Sequence, residues 1–137
     1  MLLYLHAGFM MTGLMLMAAG VCIARFMRKH PWWLRRHRAL GICGVLSIVL
    51  GFLAAAYMVA VSGDEHFEVL HAWAGAVVIS AATASAILGQ LQFTLKNRRT
   101  EIRKAHRWSG AMTLILVPLN MISGLVLAGI IPDMRSF

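Results

Sequence analysis

Four stretches of this 137-residue chain contain no Asp, Glu, Lys or Arg: residues 2–24, 39–63, 69–95 and 108–132, which are 23, 25, 27 and 25 residues long. About 20 helical residues cross a hydrocarbon core roughly 30 Å thick. Within lipid a backbone must satisfy its own hydrogen bonds, so each run is expected to be a helix. The chain is 60% hydrophobic and 13% charged, too apolar for a soluble domain of this length. The reading is an all-α membrane protein: one domain over residues 1–137, with helices at about 3–26, 34–61, 68–95 and 102–130. The connections are short, so neighbours run antiparallel and the expected architecture is an up-down four-helix bundle in the lipid bilayer.

The net charge of +8 raises the question of nucleic acid, and the placement of the charge answers it. Twelve of the thirteen basic residues fall in two short segments. Arg25, Arg28, Lys29, Arg35, Arg36 and Arg38 join spans one and two, and Lys96, Arg98, Arg99, Arg103, Lys104 and Arg107 join spans three and four. The connection between them carries Asp64, Glu65 and Glu68 and no basic residue. Short loops rich in Lys and Arg stay in the cytoplasm. Both termini and the acidic loop are therefore expected to be extracytoplasmic, and no nucleic-acid partner is implied. The N-terminus lacks the basic region of a signal peptide and reads as a mature helix. Cys22 and Cys43 read as buried, inert thiols, and the absence of C-x-x-C-H excludes c-type haem attachment.

Ionisable residues inside membrane spans are rare and usually functional. Each span here has one histidine near its start: His6, His37, His71 and His106. In an up-down bundle, His6 and His71 share the outer level while His37 and His106 share the inner one. Spans one and three, and spans two and four, are the diagonal pairs of a four-helix ring. Two imidazoles facing each other across the core suit the axial positions of a haem iron. Neither level offers the three or four ligands that zinc usually takes. A single histidine of this kind reads more simply as an interfacial side chain, but one per span at matching depth does not.

The glycines follow the histidines. His6, Gly13 and Gly20 repeat the spacing of His37, Gly44 and Gly51; His71, Gly75 and Gly89 repeat that of His106, Gly110 and Gly124. Seven residues drift only about 20° around a helix, so Gly13, Gly20, Gly44 and Gly51 share a face with their histidines. They are expected to make room for a flat macrocycle; close packing of helices through small residues is the alternative. Fourteen residues rise about 21 Å, so each helix ligates one haem and flanks the other.

These residues resemble the cytochrome b561 family over all four spans. Leu70-His71-Ala72-Trp73 is similar to that family's Leu-His-Ser-Trp signature. His6, Gly20 and Ala24-Arg25-Phe26 resemble its first core helix, and residues 34–41 (L-R-R-H-R-A-L-G) the second. Gln92, and His106 with Gly110, Asn120 and Gly124, resemble the ends of the module. The resemblance implies two haem b groups with bis-histidine ligation and transmembrane electron transfer. It also implies ascorbate as cytoplasmic donor, and monodehydroascorbate or ferric iron as extracytoplasmic acceptor. The Val-Tyr-Arg part of the family's ascorbate motif is missing, although Arg25 and Lys29 are nearby, so a quinol is an equal candidate for donor. A single four-span unit points to a bacterial inner membrane, with other redox subunits or a second copy of the chain as further partners. The alternative function is a haem-bearing anchor subunit of a larger quinol-linked oxidoreductase.

Arg38 and Arg107 follow the inner histidines and can neutralise haem propionates. Gln92 and Asn120 are polar groups within spans that need partners. Tyr4, Tyr57, Ser62 or His66 can serve the outer propionates. Arg135 is the only Arg or Lys on that side, and His66 with Asp64, Glu65 and Glu68 reads as a solvated loop, with a site for a ferric or other cationic acceptor as the alternative.

Overall fold

The computed structural model describes residues 1–63 and 66–131, and all of its long elements are α-helices. They are α1 (Leu2–Phe26), α2 (Trp33–Ser62), α3 (Leu70–Thr94) and α4 (Arg99–Leu127), and each is long and apolar enough to cross a membrane. Asp64, Glu65 and Arg135, assigned above to the outer side, lie outside the described residues.

The helix ends follow local chemistry. Pro31 lies in the connection after α1, where the Arg28 Nε donates to the Ala24 carbonyl at 2.6 Å and so satisfies one terminal acceptor. Gly63, at φ 78°, takes the left-handed conformation that closes α2. α3 starts at Leu70 rather than 68 because Val69 is extended. The fourth helix departs most from its expected range of 102–130. One 3-10 turn (Lys96–Arg98) leads straight into α4, so Arg99 already lies on the helix, three residues before the expected start. Lys and Arg are good helix formers and need no loop. At the other end Gly129, at φ 69°, stops the helix at Leu127. The Ile130 N–H donates to Leu125 O and the Gly129 N–H to Val126 O, both at 3.0 Å, which is a Schellman closure.

α1 packs closely on α2 and α3 on α4, while the two hairpins meet each other more sparsely. α2 also touches α3, and α1 touches α4, so the ring order is α1-α2-α3-α4 and the diagonals are α1–α3 and α2–α4. The first hairpin is tight because its glycines meet. A Cβ on Gly13 would lie 2.9 Å from the Gly44 carbonyl oxygen, and one on Gly44 would lie 3.1 Å from the Gly13 carbonyl oxygen. The largest fully covered side chains are at mid-height: Ile48, Val78, Val117 and Thr113. Leu46, Leu50, Leu53, Ile115, Leu119 and Ile122 point outward, as they do where lipid, not water, is the surrounding solvent. Cys22 and Cys43 also lie on this outer surface. The expectation that they are buried is corrected: both positions look away from the bundle core.

Candidate functional site

The four histidines come together in the two expected pairs. His6 of α1 and His71 of α3 have ring centroids 6.2 Å apart with planes at 89°. His37 of α2 and His106 of α4 have centroids 6.1 Å apart with planes at 74°. Each pair spans a diagonal of the ring, and therefore joins one hairpin to the other. All four rings are half-buried.

Each ring is anchored by its hairpin partner. His6 Nδ1 lies 2.8 Å from Gly51 O, His37 Nδ1 2.9 Å from Gly20 O, and His106 Nδ1 2.8 Å from Ser85 O. His71 Nδ1 lies 3.0 Å from Ser123 Oγ. A hydrogen bond at Nδ1 fixes the tautomer and leaves only Nε2 to ligate. A metal-bound imidazole nitrogen sits about 2 Å from the metal, and the ring centre roughly 1 Å further back, so two rings on a linear axis have centroids about 6 Å apart. Both observed separations match that span. No group of three or more His, Cys, Asp or Glu able to hold a bare metal ion occurs among the described residues. Two axial ligands and no more are what an iron already held by a macrocycle requires.

The glycines serve these rings in ways their spacing alone does not reveal. Gly13 and Gly44 lie at the α1–α2 crossing, and that contact accounts for a small residue at both positions. Gly51 is buried against Met10 and Phe9, and its carbonyl receives His6. Gly20 offers its carbonyl to His37 and also lines a cavity beside that ring. In the second hairpin the glycines face imidazoles directly. A Cβ on Gly124 would lie 2.7 Å from His71 Cε1, and one on Gly89 would lie 3.1 Å from His106 Cε1. Each histidine thus rests on a glycine or its carbonyl from the neighbouring helix. Ser85 and Ser123 were not singled out from the sequence, because no periodicity marks a side chain or carbonyl that meets a ring on another helix.

The cavity, about 450 Å³, opens between the hairpins at the His37–His106 level. That volume lies within the range of cofactor sites. Gly20, Gly89, Gln92 and Phe93 line it, together with both histidines. Arg25, Arg28, Arg38, Arg99, Arg103 and Arg107 also face it, so both basic segments lie at this end. Arg38 donates to Gln90 Oε1 at 2.7 Å and lies 5.3 Å over the Phe93 ring, tying α2 to α3. Gln92 donates to Gly89 O at 3.0 Å. Asn120 is buried at the other level, where its carbonyl and side-chain oxygen receive Ser123 Oγ at 2.8 and 3.3 Å.

A family model described as eukaryotic cytochrome b561 matches residues 5–131. The chain belongs to the cytochrome b561 family. Members of that family bind haem b, and the paired histidines described above fit that cofactor. Among characterised proteins, the chain is similar to the lysosomal membrane ascorbate-dependent ferrireductase of Danio rerio, with 26% identity over 130 residues. The match takes in 88% of this chain and 52% of the relative, so the chain spans about half the length of that protein. No solved structure matches the chain. The family description is eukaryotic and the relative lysosomal, so these matches lend no support to the bacterial inner membrane expected above. The chain is an integral membrane protein of the cytochrome b561 family.

Proposed function

We propose that the chain carries electrons across the bilayer by way of two haem b groups, one at each histidine pair. The reading rests on one observation: two diagonal histidine pairs of matching geometry at opposite ends of a membrane-spanning bundle. Haem bound there supplies a one-electron ferric/ferrous couple. His6 and His71 hold one iron, and His37 and His106 hold the other. The Nδ1 contacts keep each ring turned so that Nε2 is the ligating atom. Arg38 and Arg107 stand beside the inner histidines, where guanidinium groups pair with propionates. Ile48, Val78, Ala82 and Val117 fill the middle of the bundle. That apolar layer excludes water and ions between the two levels while leaving them close enough for electrons to pass.

Charge gives the direction. Short basic loops stay in the cytoplasm, so the arginine-lined cavity faces the cytoplasm and both termini lie outside. Six arginines at one mouth attract an anionic or interfacial donor. The Danio rerio relative is named as ascorbate-dependent and as a ferrireductase, which favours ascorbate as donor and ferric iron as acceptor over a quinol-linked route. With a membrane potential negative inside, moving one electron outward is favourable by about 2.3 kcal/mol per 100 mV. The short connections leave little surface for an independent active site, and a haem-bearing anchor subunit within a larger complex is the second reading.

The test is a sealed vesicle holding the chain in one orientation, with ascorbate confined to the side of the arginines and ferric chelate on the other. Expected is full reduction of both haems followed by reduction of the external iron. Reduction that proceeds only when the donor is on the opposite side contradicts the proposed direction.

A further inference from the structure

Among the four histidines, His71 is anchored differently. His6, His37 and His106 each meet a main-chain carbonyl at 2.8–2.9 Å. His71 meets a side chain, Ser123 Oγ, at 3.0 Å. The hydroxyl's role there is fixed by its own donor. Ser123 Oγ donates to Asn120 O at 2.8 Å, with Asn120 Oδ1 at 3.3 Å. A hydroxyl has one hydrogen, and with that hydrogen directed at Asn120, only a lone pair is left for His71. In the tautomer that frees Nε2 for ligation, the Nδ1–H donates to that lone pair. The result is a short relay from His71 Nδ1–H to Ser123 Oγ–H to the Asn120 carbonyl.

An acceptor at Nδ1 raises the basicity of a metal-bound imidazole. A more basic axial ligand favours ferric over ferrous iron and lowers the midpoint potential. Three of the four acceptors belong to the backbone and stay in place whatever side chain is present. The fourth is a side-chain hydroxyl, with the Asn120 carbonyl and side chain as further hydrogen-bond partners of His71.

We propose that Ser123 is a positioning residue that sets the potential of the outer haem through the Nδ1–H of His71. This rests on the two-haem reading above. Its effect is confined to one level of the bundle: removing its hydroxyl makes the His71 imidazole a poorer electron donor and raises the potential of that haem alone. Second-shell losses of this kind typically change a metal equilibrium by about tenfold or more. A tenfold fall in ferric preference is about 59 mV for a one-electron couple.

The test is a potentiometric titration of the purified full chain, followed by absorption and by the low-spin EPR signals of the two haems. Wild type, Ser123→Ala and Ser123→Thr are compared. Ser123→Ala should lower the ferric preference of the outer haem by about tenfold, raising its potential, and shift its EPR signal, with the inner haem unchanged. Ser123→Thr, which keeps a hydroxyl, should restore the wild-type value. Two wild-type-like potentials in Ser123→Ala overturn the proposal, as does an equal shift of both haems. If Ser123→Ala loses the outer haem, rescue by Ser123→Thr supports the relay, and failure of that rescue overturns it in favour of simple packing. A wild-type chain that binds fewer than two haems refutes the two-haem reading instead, so the two failures are distinguishable.

Discussion

Gly124→Ala should weaken binding of the outer haem while leaving the helix that carries the mutation at least as stable. The added methyl carbon would lie 2.7 Å from His71 Cε1 and 3.3 Å from both ring nitrogens. Carbon atoms rest at about 3.5–4.0 Å, so the ring must retreat by about 0.8 Å or more. It cannot do so freely, because Nδ1 is held by Ser123 Oγ at 3.0 Å. Metal–ligand distances tolerate only about ±0.2 Å. Overpacking of this kind costs about 1–3 kcal/mol, which is about 5- to 150-fold in affinity for the outer haem. Alanine is the better helix former by about 1 kcal/mol, so a loss of haem cannot be blamed on α4 itself. Gly89→Ala, at 3.1 Å from His106 Cε1, should weaken the inner haem by less. Gly20→Ala, whose nearest new contact is Leu40 Cβ at 3.4 Å, should be tolerated. The assay is a pyridine haemochrome ratio per chain, with redox titration to tell the two haems apart. If Gly124→Ala retains two haems at wild-type potentials, the argument that glycine makes room for the imidazole is refuted.

Gly44→Ala should act on both haems equally. Its Cβ would lie 2.6 Å from Met17 Cγ and 3.1 Å from the Gly13 carbonyl oxygen, which forces α1 and α2 apart at about 1–3 kcal/mol; thermal unfolding in detergent should shift down, and selective loss of one haem would count against this. Arg107→Gln takes a positive charge from the cavity beside His106. It should lower the midpoint potential of the inner haem only, since a nearby cation favours the reduced state; a potentiometric titration showing no change would separate Arg107 from the propionates.

The helices and the histidine pairing were legible in the sequence for simple reasons. Uncharged runs of 23–27 residues have one stable form in lipid. Short loops force alternation, and alternation alone puts His6 level with His71 and His37 level with His106. What could not be read is which neighbour each glycine meets. The spacing from His6 to Gly20 places the glycine at the inner level, but helix rotation decides that it offers its carbonyl to His37. The same spacing brings Gly13 to Gly44 at a helix crossing. Arg99 read as loop because it is charged, yet a basic helical turn outside the bilayer satisfies its own backbone. Gly129 was a legible stop signal for α4 that an apolar run reaching to residue 132 concealed. Ser123 had no signal at all: its contact depends on how α3 and α4 face each other.

The most direct test of the account is the number of haems per chain in the wild type and in four single variants. Wild type should carry two haem b. His6→Ala and His71→Ala should each carry one, the same one, and His37→Ala and His106→Ala should each carry the other. A wild-type ratio of one or none, or the loss of the same haem from His6→Ala and His37→Ala, would contradict it.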